Sequence, residues 1–211
     1  MTDNDLVLRT THQRVTTVTL NRPEALNALS TGMKNAIITC FEALRDDHDT
    51  DVIILTGAGR SFTAGLDLKE LGQIGFTERT IGDLQEVVTT VGKPLIGAIN
   101  GFAITGGFEL ALMCDILVGT PDTRFADTHV RMGVVPGWGL SQRLAALIGR
   151  SRAMEMSLTG NYVNAETAER WGLINNILPP SELLPHCQAL AEAMLAGDHK
   201  TLEEVHRLIR Y

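Results

Sequence analysis

The stretch Ile99-Asn100-Gly101-Phe102-Ala103-Ile104-Thr105-Gly106-Gly107-Phe108-Glu109-Leu110-Ala111-Leu112-Met113-Cys114-Asp115 decides how this chain is read. It closes the short apolar run 95–99, turns at glycines and continues as an apolar segment, the pattern of strand, glycine turn and helix. The helix is expected to begin at Gly106-Gly107 and to run through Phe108 to Met113, and because it is apolar almost all round it should be buried. Its first turn presents N–H groups with no intrahelical partner at the positive end of the helix dipole, a seat for developing negative charge. Glu109 falls in that turn. A carboxylate there has a plainer reading too, as a helix-start acid interacting with the dipole.

Outward from this segment, short β-type runs occur at 6–8, 15–20, 52–56, 95–99, 116–118 and 174–178. A helix should lie between the second and third of these, with Ser30 or Thr31 as cap and an apolar stripe of Met33, Ala36, Ile37, Cys40, Phe41 and Leu44. Further helices are expected over much of 77–91, around 151–159, over 164–171 with Gly172 as stop, and over 201–210 with a Thr201/Glu204 capping box. Strands alternating with helices argue for an α/β fold, with a more helical part after about Gly139.

Two other segments can carry chemistry. Residues 56–68, Thr56-Gly57-Ala58-Gly59-Arg60-Ser61-Phe62-Thr63-Ala64-Gly65-Leu66-Asp67-Leu68, form a small-residue loop after an apolar strand, where glycines let backbone N–H groups approach a ligand; a tight turn is the alternative. The dinucleotide fingerprint fits poorly, because no glycine falls three residues after Gly59 to open a helix. In the segment that begins Arg124-Phe125-Ala126-Asp127-Thr128-His129, an extended start places Asp127 and His129 on one face, where they share a water or a proton or form an ordinary surface pair.

Composition narrows the partners. The 211 residues are 44% hydrophobic and 20% charged, as expected of a packed globular chain, and the length asks for no more than one core. A net charge of −7 without any basic run argues against nucleic acid and anionic membrane. Cys40, Cys114 and Cys187 are odd in number, scattered and mostly among apolar neighbours, which suits reduced thiols in a cytoplasmic-type compartment rather than disulfides or a metal site. The start MTDNDLVLRT has no secretory pattern, and no run of about 18 apolar residues suggests a membrane span.

In their order and spacing these segments resemble the enoyl-CoA hydratase/isomerase (crotonase) superfamily. The likeness runs from Val18-Thr19-Leu20-Asn21-Arg22-Pro23 and Asn27-Ala28-Leu29 through Phe62-Thr63-Ala64-Gly65-Leu66-Asp67-Leu68, Lys93-Pro94, Asn100-Gly101 and Gly106-Gly107-Phe108-Glu109-Leu110-Ala111. It continues with Asp115, Phe125-Ala126, Gly133-Val134-Val135-Pro136-Gly137, Gln142-Arg143-Leu144, Met156-Ser157-Leu158-Thr159-Gly160 and Gly172-Leu173-Ile174. The resemblance implies a crotonase-like spiral core of β-β-α repeats with the start of a helical region over 1–180, followed by shortened C-terminal helices over 181–211, the helical region supporting a homotrimer or a dimer of trimers. It implies an acyl-CoA thioester substrate and no separate cofactor, coenzyme A being part of the substrate.

Residue by residue, the resemblance makes the Leu66 and Gly106 N–H groups the oxyanion donors. It sets Gly107, Ala64, Asp67 and Leu68 along the coenzyme A path and Arg22 and Ala25 near its nucleotide end. Hydratases of the family use two glutamates around one water; Glu109 matches one, and His129 stands where the other is expected, with Asp127 able to orient it. Hydration of a 2-enoyl-CoA, or its reverse, is the leading expectation. Isomerisation, decarboxylation, thioester hydrolysis and a non-catalytic acyl-CoA-binding role are the alternatives.

Overall fold

The computed structural model describes residues 6–74 and 82–210. Ten strands lie among them: β1 (Val7–His12), β2 (Val15–Leu20), β3 (Val52–Gly57), β4 (Ser61–Thr63), β5 (Leu95–Ile99), β6 (Phe102–Ile104), β7 (Ile116–Gly119), β8 (Arg124–Ala126), β9 (Val163–Asn164) and β10 (Asn176–Ile177). The larger sheet has the order β1-β2-β3-β5-β7-β10, antiparallel at β1-β2 and parallel elsewhere. A smaller sheet, β4-β6-β8-β9, is parallel except at β8-β9.

The helices complete a spiral. β3 and β4 lead into α2 (Leu68–Ile74) and α3 (Gly82–Thr89), β5 and β6 into α4 (Gly106–Ala111), and β7 and β8 into α5 (His129–Met132). Each turn thus gives one long strand to the first sheet, one short strand to the second and a helix, which is the expected β-β-α repeat. Helices α6 (Leu140–Ile148), α7 (Arg150–Thr159), α8 (Ala165–Trp171), α9 (Pro180–Leu195) and α10 (His199–Arg210) follow.

Strands β3 and β5 are buried along their whole length because both faces of the sheet are covered. Ile53, Leu55, Leu95 and Ile99 face the main core, whereas Val52, Ile54, Ile96 and Ala98 face Leu183, Cys187 and Ala191 of α9. The helix expected after β2 is α1 (Thr31–Arg45), which buries Met33, Ile37, Cys40, Phe41 and Leu44. Ser30 is its cap, the hydroxyl accepting from the Met33 N–H at 3.2 Å. Removing that acceptor leaves an N–H of the first turn unpaired, so Ser30→Ala is expected to cost about 1 kcal/mol, read as a lowered thermal midpoint.

Several expectations change. The three-residue strands of the second sheet are too short to show a period, and the run at 174–178 yields only β10. The helix expected over 77–91 is α3, and the start of that range lies outside the described residues. The Thr201/Glu204 capping box does not form: Asp198 caps α10 by accepting from the Thr201 N–H at 2.9 Å, and Glu204 pairs instead with Arg207 at 2.6 Å. All three cysteines are free thiols. No helix among the described residues is long and apolar enough to cross a membrane.

Candidate active site

Two backbone turns meet at the heart of the molecule. On one side Thr105 caps α4 with φ 53° and ψ −116°, a region that a β-branched residue enters at a cost of about 1–3 kcal/mol. The Thr105 N–H donates to the Ala126 carbonyl at 2.8 Å, and its hydroxyl bonds that of Thr128. Held in this way, the chain reverses sharply into Gly106, the first residue of the helix.

On the other side Gly65 turns at φ +91° after β4. The Leu29 N–H donates to the Gly65 carbonyl at 2.7 Å and the Asp67 N–H to the Leu29 carbonyl at 3.4 Å, so Leu66 between them presents its N–H away from Leu29. Among the described residues neither the Leu66 nor the Gly106 N–H donates to a protein acceptor. The two residues are neighbours: a Cβ on Gly106 would stand 3.4 Å from Leu66 Cγ. Their loops interlock only because a Cβ is missing at Gly107, where it would meet the Thr63 carbonyl oxygen at 2.6 Å.

Glu109, in the first turn of α4, is buried, as are Asp127 and His129. His129 Nε2 lies 3.4 Å from Glu109 Oε2 and His129 Nδ1 2.6 Å from Asp127 Oδ1, so the imidazole bridges two carboxylates. The expected extended spacing is not how Asp127 and His129 meet. β8 ends at Ala126, His129 opens α5, and the Asp127 carboxylate folds back over the turn to accept also from the His129 N–H at 3.3 Å.

Burial works against a charged His129, but its bonds to Asp127 and Glu109 and the charges of both carboxylates outweigh it, and the pKa is raised to about 9. Burial likewise opposes a charged Asp127, yet bonds from His129 and Ser157 hold its carboxyl below the usual range. The imidazolium is therefore the resting form at neutral pH. Being raised above the unfolded value, the His129 pKa contributes stability that is complete below the ordinary imidazole range and is lost as pH rises through about 9.

Two partners of this cluster carry no role in the sequence reading. The Trp138 N–H donates to Glu109 Oε1 at 2.7 Å, and Arg143 Nη1 donates to the Trp138 carbonyl at 2.7 Å. Glu109 is thus held at both oxygens, one by a main-chain donor 29 residues away. The available signal was Pro136-Gly137-Trp138-Gly139, a large aromatic between two glycines.

The residues expected along a ligand's path lie together on the Leu66 side. Arg22 Nη1 and Asp67 Oδ2 form an ion pair at 2.6 Å, and the hydrogen bond from Arg22 holds the Asp67 carboxyl below its usual range against the effect of burial. Ala25 ends a 3-10 turn over Pro23–Ala25, and the Ala64 N–H donates to the Leu26 carbonyl at 3.0 Å, joining that turn to the Gly65 loop. Leu68 opens α2 and is 61% exposed. This ledge continues from Leu66, whereas Glu109, His129 and Asp127 form a separate cluster on the Gly106 side.

A spiral of β-β-α turns with an acid at the start of a glycine-led helix is the crotonase fold. The chain belongs to the enoyl-CoA hydratase/isomerase family, whose model matches residues 10–209. A probable peroxisomal enoyl-CoA hydratase of Arabidopsis thaliana is 39% identical over 197 residues, covering 92% of this chain and 74% of that one. The crystal structure of an enoyl-CoA hydratase from Mycobacterium avium superposes with a TM-score of 0.86 at 43% identity, covering 96% of this chain and 88% of that one. Another, from Bacillus anthracis, gives a TM-score of 0.91 at 30% identity over 97% and 82%.

Proposed function

We propose that the protein hydrates 2-enoyl-CoA thioesters, or catalyses the reverse, with the Leu66 and Gly106 N–H groups as an oxyanion hole. The observation that carries this reading is the placement of buried Glu109 one helical turn beyond Gly106, on the same helix as an unpartnered N–H. Attack of water on the β-carbon moves electrons onto the thioester oxygen, and two fixed N–H donors stabilise that charge without reorganising.

In this reading Glu109 takes a proton from water as its oxygen bonds to the β-carbon. His129, charged and beside it, returns a proton to the α-carbon from Nε2. The proton on Glu109 then passes to His129 across the contact of 3.4 Å, restoring both groups. Asp127 keeps Nδ1 protonated and the ring oriented. Coenzyme A runs along the ledge of Arg22, Ala25, Ala64, Asp67 and Leu68, whereas Gly107, buried in α4, acts by letting the Gly65 loop close on that helix. Exposed Leu208 and Ile209 on α10 support association as a homotrimer or a dimer of trimers.

Loss of enoyl absorbance from crotonyl-CoA tests the assignment. Turnover should hold through neutral pH and fall as pH rises through about 9, where the His129 imidazolium is lost. His129→Gln is expected to lower kcat by roughly 100-fold and to abolish that alkaline limb. A wild-type protein inactive on every enoyl-CoA, or a His129→Gln variant with the same alkaline limb, contradicts the mechanism.

A further inference from the structure

Trp138 touches both halves of the site. Its ring carbon Cζ3 comes within 3.3 Å of where a Gly106 Cβ would stand, beside Leu66, so the indole packs against the α-carbon that carries one of the two free N–H groups. Its own N–H holds Glu109 Oε1 at 2.7 Å. The residue is 2% exposed and belongs to the main core.

Its position is fixed from behind. Arg143 bonds the Trp138 carbonyl, and Gly139 turns the chain away at φ +84°, where a Cβ would come within 2.9 Å of Arg143 Nη1. The main chain on either side of the ring is fixed in this way, and the ring itself, buried in the main core, moves only by forcing neighbouring groups off their rotamers.

We propose that Trp138 determines specificity by closing the acyl end of the site and restricting it to short enoyl chains. The inference rests on the hydration reading for its substrate class. A thioester whose oxygen lies between the Leu66 and Gly106 N–H groups, with its α- and β-carbons beside Glu109, must send the rest of its chain past the indole. The side chain is the group at issue, since the bond to Glu109 is donated by the main chain and does not require the indole.

Wild type, Trp138→Phe and Trp138→Ala are compared by kcat/KM on crotonyl-CoA and trans-2-decenoyl-CoA, and by calorimetric binding of butyryl-CoA and decanoyl-CoA. Trp138→Ala is expected to raise the long-to-short ratio at least about 10-fold in both measurements, with Trp138→Phe in between. A rise of less than about 10-fold overturns the proposal, being smaller than one methylene is worth in an apolar pocket. If wild type binds acyl-CoA but hydrates none, the hydration reading falls and the binding ratios alone decide the role of Trp138. Should Trp138→Ala not fold, Trp138→Phe decides, with a ratio change of at least about threefold supporting the proposal and a smaller one overturning it.

Discussion

Glu109→Gln is expected to lower kcat on crotonyl-CoA by about 1,000-fold while leaving KM close to wild type, with a lower thermal midpoint at neutral pH because His129 loses one of the two carboxylates that stabilise its charge. The amide keeps the shape of the carboxylate and one acceptor oxygen, so the bond from the Trp138 N–H at 2.7 Å can persist and the start of α4 need not move. On the proposed mechanism, what disappears is the ability to accept a proton from water. The thioester would still be held by main-chain donors and by the ledge on the Leu66 side, neither of which contains Glu109. Removing the carboxylate also takes away one of the charges that keep His129 protonated, so any residual activity should decline at a lower pH than the wild-type limb near 9. Full rate in this variant would reduce Glu109 to the helix-start acid that its position also permits.

How far the sequence discloses this arrangement depends on the range over which each contact acts. The alternation that places Ile53 and Leu55 on one face of β3, and Val52 and Ile54 on the other, is local, and the run is legible as a buried strand. The three residues of Ser61–Thr63 or Phe102–Ile104 span hardly more than one period of alternation, and their pairing depends on partners about 40 residues apart. Asp127 and His129 are close in sequence and were readable as a pair, yet the turn that joins them requires β8 to stop at Ala126, which the strand pattern does not disclose. Trp138 is furthest from legible. Its link to Glu109 runs through a main-chain N–H, and backbone donors leave no mark in residue identity. The same reasoning explains why the role proposed for Leu66 was suggested only by the family resemblance: a main-chain donor is compatible with any residue except proline.

Gly107→Ala is the substitution that isolates the main-chain donors from the side chains, and it is expected to lower kcat by at least about 100-fold. Its new Cβ would stand 2.6 Å from the Thr63 carbonyl oxygen and 3.2 Å from the Gly65 nitrogen. Both are backbone atoms and cannot rotate aside, so the end of β4 and the Gly65 turn must move away from α4. Leu66 rides on that turn and Gly106 on the helix, so the displacement separates the two N–H groups while Glu109, His129 and Asp127 keep their mutual bonds. Alanine is intrinsically better than glycine inside a helix by about 1 kcal/mol, so a lowered thermal midpoint would report the clash rather than helix propensity. Gly72→Ala provides the contrast: that glycine lies within α2 and a Cβ there meets nothing within 4 Å, so stability should rise slightly with activity unchanged. A Gly107→Ala enzyme with a lowered midpoint but wild-type kcat would separate the packing of the two loops from catalysis and remove the oxyanion role from Leu66 and Gly106.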